Sequence, residues 1–159
     1  MTSQAQLSET AVPRANERLS AIHWEKVAGL YARLALGTAF LSAVASRFGL
    51  WDHTLDLKHF SGFLKYAGEV LSFMPTSTIP FLAWMATACE ISLGILLIFG
   101  AWPRFVSIAS AVLLAMFGTA MAISDGLKSP MDYSVYSASS AAVLLAVQAF
   151  RDARTSVRG

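Results

Sequence analysis

The chain has 159 residues, 55% of them hydrophobic and 14% charged, with a formal net charge of +2 and a mean hydropathy of +0.54. Soluble domains carry about 25% charged residues; here the charges gather at the two ends and in short connections, with long apolar runs between them. This excludes an ordinary soluble domain, and with no basic cluster interleaved with aromatics it argues against nucleic acid as a partner.

Residues 1–15 are rich in Ser, Thr, Gln and Ala, and the composition predicts a disordered cytoplasmic tail. The tail lacks an apolar core, so no cleavable signal peptide is expected and the first span must direct its own insertion. From Asn16 to Lys26 the pattern turns amphipathic. A first span follows at about 27–48, long enough to cross the roughly 30 Å hydrocarbon core. Between it and the second span, Phe60, Phe63, Leu64, Ala67, Leu71 and Met74 form one apolar helical stripe opposite Ser61, Lys65 and Glu69. This predicts an amphipathic helix over 59–74, lying on the membrane or over the bundle and ended by Pro75. The second span is expected at about 80–100, with Pro80 in its first turn and Gly100 at its end. The third is expected at about 105–124 and the fourth at about 133–150, the latter preceded by a turn containing Ser129, Pro130 and Asp132. Residues 151–159 read as a basic tail. The expected architecture is therefore all-α: an integral membrane four-helix bundle, residues 16–150, with an amphipathic outer helix between the first two spans.

Arg14, Arg18, Lys26, Arg104, Arg151, Arg154 and Arg158 fall on one side of these spans, and Arg47, Lys58, Lys65 and Lys128 on the other. The positive-inside rule then makes both termini cytoplasmic.

A charge within a span costs at least ~2.5–3.5 kcal/mol, which singles out Arg33 and Glu90. Counted from the inner ends of their helices, they differ in depth by roughly 5 Å, within reach of an arginine side chain. Gly29, Arg33 and Gly37 share one helical stripe, and Ala83, Thr87, Glu90 and Gly94 another. Glu90 is thus expected to pair with Arg33, either as a polar site for a ligand, proton or redox headgroup or as a device that fixes helix register. The fourth helix opens with Tyr133, Tyr136, Ser137 and Ser140 on one face, which by depth extends toward Glu90. Such a face suits a quinone carbonyl or polar headgroup; interfacial anchoring and helix packing would use the same residues. The ligand-binding set read from sequence is Arg33, Glu90, Thr87, Tyr136, Ser137 and Ser140. His53 and His59, with Asp52 or Asp56, match no trusted zinc spacing, so no metal is expected. Cys89 is alone, which rules out an intramolecular disulfide and a self-contained dithiol centre.

Three stretches, RLALGTAFLSAVASRFGLW, LAWMATACEISLGILLIFGAWPR and AMAISDGLKSPMDYSVYSASSAAVLLA, carry Arg33, Glu90, Gly94, Gly100, Arg104 and the run Asp132, Tyr133, Ser134 in order. Together they resemble the DoxX family over roughly residues 27–148. The resemblance implies a four-helix protein of the bacterial inner membrane, linked to membrane redox or thiol-stress systems, with some relatives serving as subunits of a quinone-linked oxidoreductase. With no intrinsic cofactor ligand, a redox role for this chain would need a quinone or a partner subunit. Three readings stand at this stage: an accessory subunit binding a quinone or lipid-like molecule, a small carrier or channel with Glu90 as its switch, and a structural assembly subunit. Each leaves room for a homo-oligomer in the lipid bilayer.

Overall fold

In a computed structural model of the chain, the backbone is described for residues 3–53 and 58–158, and the side chains for 24–53 and 58–156. Among the described residues all extended regular structure is helical: α1 (Ser3–Arg47), α2 (Lys58–Val70), α3 (Ile79–Phe99), α4 (Pro103–Asp125), α5 (Lys128–Asp132) and α6 (Val135–Arg158), with single 3-10 turns at Leu50–Asp52 and Thr76–Thr78. The local signals are those the sequence carries. Proline sits in the first turn of α3 and of α4, where its missing N–H would have had no helical partner. Gly100 ends α3 in the left-handed conformation (φ 70°), its N–H bonded to the carbonyls of Leu96 and Leu97.

The chain divides into two compact units, Met1–Tyr31 and Ala32–Gly159. In the first, α1 is helical from Ser3, so helix covers most of the stretch expected to be disordered. Ala, Gln, Glu and Arg there are good helix formers, and extending an existing helix costs far less than nucleating one. Trp24 and Tyr31 stand exposed in this unit, as residues of an interfacial belt do.

The second unit holds two separate apolar clusters. The bundle cluster joins Leu36 and Phe40 of α1, Leu97 of α3, Val106 and Ala111 of α4, and Ala142 and Leu145 of α6. The second cluster joins Phe60 and Ala67 of α2 to Ile79 and Ala83 of α3, with Phe48, Phe63, Leu64 and Leu71 packed around them. The expected amphipathic element is a helix, α2, which ends at Val70 rather than at 74 and is seated by its apolar stripe on the N-terminal end of α3. Rings dominate this seat: Phe48 stacks on Phe60 (5.5 Å), and Phe60 meets Trp84 at 4.2 Å.

Close backbone approach sets the bundle. A Cβ on Gly37 would come within 2.8 Å of the Gly94 carbonyl oxygen, and one on Gly94 within 3.1 Å of that of Gly37. The crossing of α1 and α3 therefore needs glycine at 37 and leaves only tight room for a side chain at 94. Along the α4–α6 contact, Ser139 donates its hydroxyl to the Ala111 carbonyl at 2.9 Å, satisfying a polar group that has no water to turn to.

Among the described residues, three helices are long and apolar enough to cross a membrane: Trp24–Arg47, Thr76–Phe99 and Pro103–Asp125. They correspond to the first three expected spans. The chain is a helical, multi-pass membrane protein. The fourth expected span falls on α6, which packs along α4 but is less apolar because of its early serines and of Gln148, Arg151 and Asp152.

Candidate functional site

α1 presents Arg33, Leu36, Phe40, Val44 and Arg47 at spacings of three and four, which puts both arginines on one helical face. The three apolar residues between them are buried. The opposing face of α3 buries Ile79, Ala83, Thr87, Glu90, Gly94 and Leu97. Where these faces meet, Glu90 does find an arginine, and it is Arg47. Nη2 of Arg47 donates to Oε1 of Glu90 at 2.9 Å, and Nη1 donates to Oγ1 of Thr87 at 3.0 Å. Nη1 also makes an ion contact with Oε2 of Glu90, although Oε2 receives no aligned hydrogen bond. Thr87 donates its own hydroxyl hydrogen bond to the Ala83 carbonyl at 2.9 Å, which leaves its oxygen free to accept from Arg47. The Glu90 side chain is 3% exposed and that of Arg47 13%. The far side of the guanidinium lies over the Phe63 ring of α2, 3.9 Å from its centroid.

The expected pairing of Glu90 with Arg33 is therefore corrected. Arg33 donates through Nε to the Leu97 carbonyl at 3.1 Å and through Nη2 to the Ile98 carbonyl at 3.4 Å. Its partners are carbonyls in the last turn of α3, at the negative end of the helix dipole; that of Leu97 also accepts the Gly100 N–H. Leu97 lies seven residues beyond Glu90, roughly 10 Å along the helix. The helix end captures Arg33 well before its side chain could reach the carboxylate. Gly100 makes room for this: a Cβ there would overlap the guanidinium.

Thr87, expected on the Glu90 stripe, is in the cluster. The fourth-helix residues are not brought to it by any described contact. Tyr136 packs its ring against Gly118 of α4, Ser137 and Ser140 are exposed, and the Ser140 hydroxyl returns to the Tyr136 carbonyl at 2.8 Å. The buried face of α6 instead carries Ser139, Ala142, Leu145 and Ala146, so the polar face is turned away from the core. Arg47 is the residue that sequence reasoning missed. Its signal was the fourteen-residue spacing from Arg33, close to four helical turns.

Beside its apolar seat, α2 carries polar contacts of its own. Tyr66 of α2 is partly exposed, and burial pushes its phenol above the usual tyrosine range. Tyr133 and Asp125 add to the rise, while Arg47 opposes it. Ser124, near the end of α4, donates its hydroxyl to the Val70 carbonyl at 2.6 Å and lies 3.3 Å from the Ser72 hydroxyl. His59 at the start of α2 lies 4.0 Å from Asp52; Asp56 falls outside the described residues.

Comparison with curated proteins and with solved structures finds no match. The family model of methylamine utilisation protein MauE matches residues 24–130. That span takes in α3, the charge cluster and two of the three stretches on which the DoxX resemblance rested, and it overturns that assignment. Those stretches consist mainly of small and apolar residues that helical membrane hairpins use in common, so they carried less family information than their order suggested. Matched over two thirds of its length, the chain belongs to the MauE family.

Proposed function

We propose that this chain is the membrane-embedded component of a methylamine-utilisation system, an accessory subunit to a redox or maturation partner, and that Arg47, Thr87 and Glu90 form its working site. The family's description supports the setting. The single cysteine supports an accessory role, since the chain has no second thiol of its own with which to cycle a disulfide. In this reading α6 makes a fourth crossing, and the chain sits in a bacterial plasma membrane with both termini cytoplasmic, as the distribution of Lys and Arg supports.

The observation that carries the site is an ion pair buried between apolar helices and roofed by an aromatic ring. Apolar side chains of similar volume would fill the same space at equal or better stability. A cation and a carboxylate held there offer a donor and an acceptor to a polar headgroup arriving with an apolar tail, and a quinone is the simplest such ligand. Thr87 adds a hydroxyl, and Phe63 a ring face. The test is binding of a short-chain quinone to the protein in lipid nanodiscs. Glu90→Gln and Arg47→Gln should each weaken binding about ten-fold or more, while Arg33→Gln should leave it unchanged. Equal binding by wild type and the Arg47→Gln/Glu90→Gln double variant would remove the site.

A second reading, an assembly subunit in which the pair fixes helix register, is favoured by the near-complete engagement of Arg47 and Glu90 with each other. It predicts that the swap Arg47→Glu/Glu90→Arg restores both folding and function. Restored folding without restored function rejects it.

A further inference from the structure

We infer that α2 is a movable lid that opens as a unit to admit ligands to the Arg47–Glu90 pair. The inference deepens the binding-site reading above and can fail separately from it.

The argument starts from access. The Glu90 side chain is 3% exposed and that of Arg47 13%, so a headgroup reaches the carboxylate only if an element moves. Most of the elements around them are tied together. Leu36 and Phe40 of α1, Leu97 of α3, Val106 and Ala111 of α4, and Ala142 and Leu145 of α6 share one cluster, and Gly37 and Gly94 lock α1 to α3 backbone to backbone. α2 has no member in that cluster. It belongs to the second one, centred on Phe60 and Ala67 against Ile79 and Ala83.

On α3 the two clusters are separated by the polar pair of residues, Thr87 and Glu90. Reading along its buried stripe, Ile79 and Ala83 hold α2, Thr87 and Glu90 hold Arg47, and Gly94 and Leu97 hold the bundle. An apolar cluster set apart from the main core in this way can open locally without breaking that core. Lifting α2 would disrupt the second cluster, the ring stacked on Arg47 and the Ser124 contacts, and leave the bundle cluster in place.

The fastenings are consistent with such a motion. The connection out of α1 turns through two left-handed residues, Gly49 (φ 70°) and His53 (φ 55°), on either side of a single 3-10 turn. At the far end, α2 is held to α4 by the Ser124 hydroxyl on the Val70 carbonyl and by the approach of the Ser72 and Ser124 hydroxyls. In the middle, Phe63 rests on the Arg47 guanidinium. Arg47 therefore touches both the lid and Glu90, and a headgroup that engages it would sense the lid's position.

The Ser72–Ser124 contact supplies the test. In a Cys89→Ala background, Ser72→Cys with Ser124→Cys places two thiols where the hydroxyls now lie 3.3 Å apart, so oxidation should bridge lid to α4 and a reductant should release it. Amide hydrogen exchange is measured on one polypeptide in nanodiscs, oxidised and reduced. Residues 60–70 of the reduced protein should exchange faster than residues 87–97. Oxidation should slow the whole of 60–70 together by about ten-fold, and short-chain quinone should bind more slowly to the oxidised form. Slowing confined to the residues beside the bridge, or α2 already as protected as α3 when reduced, overturns the lid. Should α2 lock as expected while Glu90→Gln leaves quinone binding intact, the lid stands and the ligand reading falls.

Discussion

The two arginines on the buried face of α1 solve the same problem in different ways. Both are cations inside apolar surroundings, four helical turns apart on one helix. Arg33 is neutralised by backbone: the carbonyls of Leu97 and Ile98 at the end of α3, with Gly100 cleared of side chain to admit it. Arg47 is neutralised by side chains, Glu90 and Thr87, beneath a ring of α2. Backbone carbonyls at a helix end cannot change charge or leave, and any residue sequence supplies them. A carboxylate in mid-helix costs energy to bury, can be exchanged for another partner, and is present only because the chain encodes it. The Arg33 end therefore has the character of a fastening and the Arg47 end that of a site.

The sharpest way to break this contrast is to remove one partner of the charged pair. Glu90→Leu leaves Arg47 buried without a counter-charge and should destabilise the protein by about 3–5 kcal/mol, seen as a large fall in melting temperature in detergent or nanodiscs. Arg47→Met together with Glu90→Leu should recover most of that loss, because neither charge is then left alone. A double variant that is stable yet no longer binds ligand assigns the pair to function. One that stays as unstable as the single variant would mean the fold itself needs the pair.

At the other end, Gly100→Ala should cost about 1–3 kcal/mol. The added methyl meets the Arg33 guanidinium, and the residue must also keep a φ of 70°. If the variant melts like wild type, Arg33 is not held as tightly at the helix end as the geometry implies. Arg33→Met removes the cation and its two bonds together and should cost less, about 1 kcal/mol, with ligand binding untouched. A binding defect in Arg33→Met would erase the distinction between the two ends.

Much of this was legible in the residues. Run lengths gave four spans, three of which match long apolar helices; the stripe from Phe60 gave α2, though it ends at Val70 rather than 74; and Pro80 and Gly100 marked the ends of α3 within a residue or so. These signals are local, and local chemistry fixes them. Glu90 and Thr87 were also legible, because a carboxylate in an apolar helix stands out. Its partner was not. Arg47 sits in the last turn of α1 beside Phe48 and Gly49, where a charge ordinarily faces water, and only α2 folding back over it converts that end into an interior. Arg33 looked the better match because depth was counted from helix ends, without allowance for the end carbonyls that compete for it. The face of α6 was misjudged for a related reason. One residue turns a helix by about 100°; Ser140 lies one residue from the buried Ser139 and Ser137 two, a difference of facing settled by contacts with α4 that a single sequence does not display.

The smallest effect reads the field of Arg47 directly. Tyr66 lies on α2, and its phenol is held above the ordinary range by burial, with Tyr133 and Asp125 reinforcing the shift and Arg47 opposing it. A group whose folded pKa is raised keeps its contribution to stability below the unfolded pKa and loses it as pH rises through the folded value. The protein should therefore lose stability on the alkaline side, and Tyr66→Phe should flatten that limb. Arg47→Met in the Glu90→Leu background removes the one opposing charge, so the Tyr66 phenol should titrate higher still, measured as the ultraviolet difference against Tyr66→Phe. Arg33→Met should leave that titration where it is, since Arg33 is absent from the charges acting on Tyr66. An equal response to both substitutions would mean that the two arginines act through general loosening of the bundle. A response to Arg47 alone would tie the charge of the site to the helix that covers it.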